Sequence, residues 1–181
     1  MIICLAGPRA SGKSTTAGSL AALLGWGHFS FGDYVREIAR QRGYDPRELR
    51  VLQNLGIELI NQGWDVFCKN MLEFNKYSNT DSFIIDGIRH VEALNTISTI
   101  TETKVILVYL NSTDEVLEKR VKNRNRGEYK GSELHEVEKQ IKNEVKDSAD
   151  IIITTDNTPK SIAKQIIQEL ARLGLLEVPV E

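Results

Sequence analysis

Residues 7 to 15 read GPRASGKST, with Gly7, Gly12, Lys13 and Ser14 at the Walker A spacing. The residue types state the chemistry. Glycines let main-chain N–H groups turn inward on the β- and γ-phosphates of a nucleotide, and the N-terminus of the helix that follows adds its partial positive charge. Lys13 can follow negative charge onto a transferring phosphoryl group, and the Ser14 hydroxyl can ligate Mg2+. An apolar run before and an amphipathic run after give the motif the strand–loop–helix setting in which it is specific. The whole stretch, Gly7, Pro8, Arg9, Ala10, Ser11, Gly12, Lys13, Ser14 and Thr15, is therefore expected to hold ATP or GTP with Mg2+, ATP being taken as the donor.

Phosphate cradles serve switches, motors and phosphoryl transferases, and absences separate them. The Asn-Lys-x-Asp sequence that reads guanine is missing where the last apolar run ends, at Thr154 to Asn157. A hydrolytic motor or AAA-type ATPase normally follows its strand-end aspartate with a glutamate that polarises water; here Gly87 follows Asp86. Other residues suit a second substrate. Asp86 closes an apolar run and can orient Mg2+-bound water, Gly87 lets the backbone turn tightly, and Arg89 can clamp an acceptor phosphate or carboxylate with its fork of donors. In FSFGDYVRE, residues 29 to 37, Ser30 and Asp33 bracket a turn, and Arg36 lies three residues past Asp33 on the same helical face. Asp33 can hold or deprotonate an acceptor hydroxyl while Arg36 holds its phosphate; the structural alternative is a capped helix with an ordinary ion pair. Arg120 and Arg124 share a helical face, and Arg126 precedes Gly127. With Gly131 these residues outline a lid over about 120–132 that would bring arginines onto the γ-phosphate. A solvated helix face is the competing reading.

Five apolar runs must carry these side chains: MIICLA, HFSF, FIID, KVILVYL and DIIIT. Amphipathic segments alternate with them, the pattern of parallel strands joined by helical crossovers. Ala17, Leu20, Ala21 and Leu24 share one helical face, as do Ile162, Ala163, Ile166, Ile167 and Leu170. Residues 45–77 show helical patterning without a strand, so a helical acceptor insertion is expected over about 33–78. DPRE (Asp45, Pro46, Glu48) and STDE (Ser112, Glu115) have capping-box spacing, and Pro159 is expected just inside a helix. With no internal repeat or long linker, the chain reads as a single domain over 1–181.

The chain's 181 residues fit one domain, and its net charge of −2 argues against general nucleic-acid binding. Basic residues concentrate in EKRVKNRNRGEYK, residues 118–130. Cys4 and Cys68 form no CxxC pair, which argues against zinc and fits a reducing cytosol. The first apolar run stops after six residues without a basic flank, too short for a signal peptide or membrane span. A cytoplasmic protein is expected. His28, His90 and His135 lack metal-ligand spacing and read as structural or solvated, while Trp26 and Trp64 read as core.

Taken together, the residues resemble the nucleoside monophosphate kinases of the P-loop kinase group and the related dephospho-CoA kinases. FSFGDYVRE is similar to the group's Ser-Thr-Gly-Asp-x-x-Arg acceptor motif, IIDGIR to its Asp-Gly-Phe-Pro-Arg, and RVKNR to the Arg-x-x-x-Arg that opens its lid. The resemblance implies a five-stranded parallel sheet of order 2-3-1-4-5 between helices. It implies that Lys13 and Arg9 lie along the donor phosphates, that Arg36 and Arg89 bind the acceptor's phosphate, and that Arg120 and Arg124 act on the transferred group. Asp33 and Asp86 would organise acceptor and Mg2+, and the loop at Asp156 and Asn157 would pass the donor adenine. There are departures. DGIR is one residue shorter than the group's motif and lacks its proline, and 132–148 offers Lys139, Lys142 and Lys146 but no arginine. The short lid, Gln140 and ADIIITTDN are more similar to dephospho-CoA kinases, while FGDYVR is more similar to a nucleotide kinase. The expected partner is a phosphorylated small-molecule acceptor, a nucleoside or deoxynucleoside monophosphate in the first instance. A nucleotide-dependent binding module is the non-enzymatic rival, and the presence of Asp33, Arg36 and Arg89 counts against it.

Overall fold

The computed structural model of the chain describes residues 1–78, 81–123, 141–155 and 157–177. Its five strands are β1 (Ile2–Ala6), β2 (Gly27–Ser30), β3 (Phe83–Ile88), β4 (Val105–Asn111) and β5 (Ile151–Thr154). The helices are α1 (Lys13–Leu24), α2 (Phe31–Gln41), α3 (Leu49–Asn61), α4 (Trp64–Phe74), α5 (Val91–Thr101), α6 (Asp114–Asn123) and α7 (Pro159–Arg172), with a π-helical turn at Ile141–Val145. All strand pairs are parallel, in the order β2-β3-β1-β4-β5.

Strand β1 shows why the apolar runs are continuous rather than alternating. A parallel sheet covered on both faces buries every residue of a central strand, and all five residues of β1 are fully buried. Successive side chains leave on opposite faces. Ile2, Cys4 and Ala6 join the core under α2, α3, α4 and α5, whereas Ile3 and Leu5 join the core under α1 and α7. Cys4 and Cys68 are both free and buried, as small hydrophobes would be.

Three local expectations change. Phe31 starts α2 instead of ending β2, because the Ser30 hydroxyl accepts from the Asp33 N–H at 3.3 Å and caps the helix there. Asp45 does not cap the insertion's first helix: its carboxylate accepts from the Arg47 N–H at 2.9 Å, an Asx turn, and α3 begins only at Leu49. Nor does Ser112 cap α6, since its hydroxyl pairs with that of Thr155 while Thr113 accepts from the Val116 N–H at 3.4 Å. Pro159 is in the first turn of α7 as expected, and the Thr158 hydroxyl accepts from the Ser161 N–H. Residues 45–77 do fold as helices, α3 and α4, whose Leu55, Leu59, Phe67, Met71 and Leu72 are buried. No helix among the described residues is long and apolar enough to cross a membrane.

Candidate active site

The ends of β1, β2, β3 and β5 and the first turns of α1 and α2 meet at the carboxyl edge of the sheet, where open parallel sheets hold ligands. Between β1 and α1 the loop 7–12 takes positive φ at Gly7 (143°), Ala10 (66°) and Gly12 (94°). Such alternation turns successive N–H groups into a concavity suited to anions. Gly7 is required for a second reason: a Cβ there would lie 2.6 Å from the Leu110 carbonyl oxygen of β4. The strand thus braces the loop from behind. Lys13 Nζ donates to the Gly7 and Pro8 carbonyls, both at 2.7 Å, and to Ser11 Oγ at 3.4 Å. Its charge spans the loop mouth.

Asp86 stands opposite Ser30 in the β2–β3 register, two residues before β3 ends, so the strand runs past the aspartate that closes the apolar run. It is 1% exposed, and neither carboxylate oxygen completes a hydrogen bond of normal geometry among the described residues. Burial opposes its ionisation, yet His28, Ser14 and Ser30 turn polar hydrogens toward it and together hold the carboxyl below the usual carboxylate range. Two incompletely satisfied carboxylate oxygens beside the Ser14 hydroxyl, next to a phosphate cradle, make a hard oxygen donor set, the kind Mg2+ takes while keeping most of its waters. No cluster of three or more His, Cys, Asp or Glu able to cage a metal occurs among the described residues.

Just past Asp86 the β1–β3 pairing skips a residue, from Leu5 opposite Asp86 to Ala6 opposite Ile88, with Gly87 at φ 86°. A bulge re-aims the chain beyond it, and the side chain re-aimed here is that of exposed Arg89. A Cβ on Gly87 would lie 3.9 Å from the Gly32 nitrogen, so the start of α2 abuts this turn. Gly32 in turn leaves room for Arg36, whose guanidinium a Cβ there would meet at 3.3 Å. Arg36 pairs with Asp33 at 2.5 Å. With Asp33 69% and Arg36 38% exposed, the pair is open to solvent and can be exchanged for ligand contacts at little cost.

Arg120 lies against the phosphate loop and binds main chain there. Its guanidinium donates to the Ser11 and Ala10 carbonyls at 3.1 and 3.5 Å and to the Thr155 carbonyl at 2.7 Å. It therefore ties α6 to the back of the phosphate loop and to the end of β5. Asn157 is exposed at the bend between β5 and α7. Arg124, Arg126, Lys139, Gln140 and Asp156, with most of the expected lid, lie outside the described residues.

Sequence reasoning missed His28 and Thr155. His28 Nε2 is 3.6 Å from Asp86 Oδ2. The signal was its spacing, two residues before Ser30 and so on the same face of β2, but only the strand register puts that face against Asp86. Buried Thr155 meets both Ser112 and Arg120, which nothing local announces. Beside Pro8, a cavity of about 290 Å³ runs under Asn111 and Asp114, and Lys146 Nζ lies 5.9 Å from the Tyr109 ring centre in its wall.

Phosphate loop, strand order and strand-end aspartate define a P-loop domain of the kinase fold. The chain aligns over 97% of its length with shikimate kinase from Aquifex aeolicus, covering 99% of that chain at a TM-score of 0.67 and 21% identity. The profile of the family described as an AAA domain matches residues 6–138, and the chain belongs to that family. Among curated proteins it is 29% identical over 128 residues to UMP-CMP kinase 1 of Oryza sativa subsp. japonica, covering 70% of this chain and 51% of that protein. It is 28% identical over 122 residues to adenylate kinase of Rickettsia bellii, 67% of this chain and 57% of that protein. The chain thus spans about half the length of these curated relatives. Although the family carries the AAA name, the position after Asp86 is glycine, and both of these relatives are nucleotide kinases.

Proposed function

We propose that the chain is an ATP-dependent kinase that transfers the γ-phosphoryl group to a small phosphorylated acceptor, a nucleoside or deoxynucleoside monophosphate. The observation that carries this reading is buried Asp86 next to Ser14, with Arg36 on α2, whose start abuts Gly87, and Arg89 two residues past Gly87. A hydrolase needs a group to activate water beside the γ-phosphate, and Gly87 follows the aspartate here. The named curated relatives, a UMP-CMP kinase and an adenylate kinase, support a nucleotide acceptor.

In this reading the loop N–H groups and Lys13 hold the donor phosphates, and Ser14 and Asp86 hold Mg2+. When bound, Mg2+ neutralises phosphate charge and lowers the repulsion an incoming oxygen meets. Arg36 and Arg89 hold the acceptor's phosphate, and Asp33 and Ser30 line its approach. The acceptor oxygen attacks the γ-phosphorus in line, the bond to the β-phosphate bridging oxygen breaks, and ADP leaves. Positioning and exclusion of water, rather than a strong base, decide between transfer and hydrolysis. Arg120 and Arg124 act on the transferred group, Arg120 from its place against the loop.

Transfer to an acceptor hydroxyl, as in dephospho-CoA kinases, is a second reading. It is favoured by the solvent-open carboxylate of Asp33, which can take an alcohol proton. One panel separates the two: Mg-ATP with ribonucleoside and deoxyribonucleoside monophosphates, dephospho-CoA and sugar acids, reading acceptor-dependent ADP. A monophosphate should give the largest stimulation, and Lys13→Ala should lower it by at least about 100-fold with an unchanged melting curve. If no acceptor raises ADP above the basal rate, the kinase reading fails.

A further inference from the structure

His28 faces Asp86 and has no task in the proposed function. Three polar atoms with no completed hydrogen bond converge at this point: His28 Nε2 and both Asp86 carboxylate oxygens. Their convergence arises from the sheet. His28 and Ser30 leave β2 on one face, Ser30 pairs with Asp86, and His28 pairs with Ile84 one pleat earlier. From that diagonal position an imidazole is long enough to reach the carboxylate, and its Nε2 stops 3.6 Å from Oδ2. The histidine side chain is 26% exposed and the aspartate 1%, so the pair runs from the surface to a buried carboxylate.

We propose that His28 is a positioning residue for Asp86: its Nε2, 3.6 Å from Oδ2 on the neighbouring strand, closes onto the carboxylate when cation and nucleotide bind, fixes its rotamer and so sets how tightly the nucleotide's Mg2+ is held. The inference rests on the Mg-ATP reading above. The physical ground is general. A carboxylate with a fixed outer partner presents its oxygens to a cation without first losing rotamer freedom, and loss of such a partner lowers metal affinity by about 10- to 100-fold. Leucine keeps much of the ring's apolar volume without a donor, whereas glutamine keeps a donor of similar reach.

The test uses the full chain and a fluorescent, non-hydrolysable ATP analogue. Its affinity is measured in excess Mg2+ and in EDTA, and the ratio is the gain due to metal. His28→Leu should cut that gain by about 10-fold while leaving the EDTA affinity unchanged, and His28→Gln should restore most of it. A full gain in His28→Leu, or a His28→Gln protein as impaired as His28→Leu, overturns the positioning role alone. If the wild type gains nothing from Mg2+, the Mg-ATP reading falls with it. Should His28→Leu not fold, the wild type still decides. The chain has three histidines, and the His28 imidazole nitrogen resonances should move between the EDTA and Mg2+ complexes; if they stay fixed, the inference is wrong.

Discussion

Asp86 ionises against the cost of its own burial, because His28, Ser14 and Ser30 favour the charged form more than desolvation opposes it. The sign of the consequence is fixed. A carboxyl held low in the folded state adds stability at pH above its unfolded value of about 3.9 and loses it as pH falls through the lower folded value. Asp86→Asn should therefore flatten the acid limb of the pH–stability curve below about pH 4, and should abolish the Mg2+-dependent gain in nucleotide affinity. Denaturation monitored by circular dichroism from neutral to acid pH checks the first. The thiols form a second case. Burial pushes Cys68 up to about 12, with Asp65 adding to it, and pushes Cys4 higher still. Neither thiolate is populated at neutral pH, and the thiolate is the reactive form. A chromogenic disulfide reagent should leave both cysteines unmodified in the native protein at pH 8 and count two after denaturation; fast native labelling would contradict the packing described.

At the scale of elements, the phosphate loop is shaped as much by β4 as by its own glycines. Gly7→Ala puts a methyl group against the Leu110 carbonyl and forces a positive φ on a residue with a Cβ. It should destabilise the fold by about 1–3 kcal/mol and cost nucleotide affinity beyond that, measurable by thermal melting with and without Mg-ATP. The strand before α7 has a device of its own. Asp150 precedes β5 and both donates its N–H to the Leu107 carbonyl at 2.9 Å and accepts the Leu107 N–H on its carboxylate at 2.7 Å. Its side chain thus supplies an acceptor that the short strand lacks. Thr158→Ala removes the α7 cap and should cost about 1 kcal/mol. Much of this scaffold was legible in the apolar runs, because strands buried on both faces leave a signature that needs no partner to be read. Two of the helix starts were not. Asp45 and Ser112 have cap spacing, but each found another partner, Arg47 N–H and Thr155, and spacing cannot weigh rival hydrogen bonds.

For the whole molecule, the legible and the illegible divide along sequence distance. Gly7 to Ser14 and the Asp33–Arg36 pair are local in sequence, so both could be read there, although the loop also leans on Leu110 of β4. The meeting of His28 with Asp86 depends on strand register, and that of Arg120 with Ala10, Ser11 and Thr155 depends on how β5 and α6 settle beside the loop. That last junction has a kinetic side. One cation is shared by main-chain carbonyls from two segments at opposite ends of the chain, and neither can open without stranding its acceptors. The two should exchange their amide hydrogens as a single cooperative unit, protected together and released together. Arg120→Lys supplies a point charge where a planar fork spans two loops. In that variant the exchange rates around Ser11 and Thr155 should part company, and a nucleotide that protects the first would no longer slow the second.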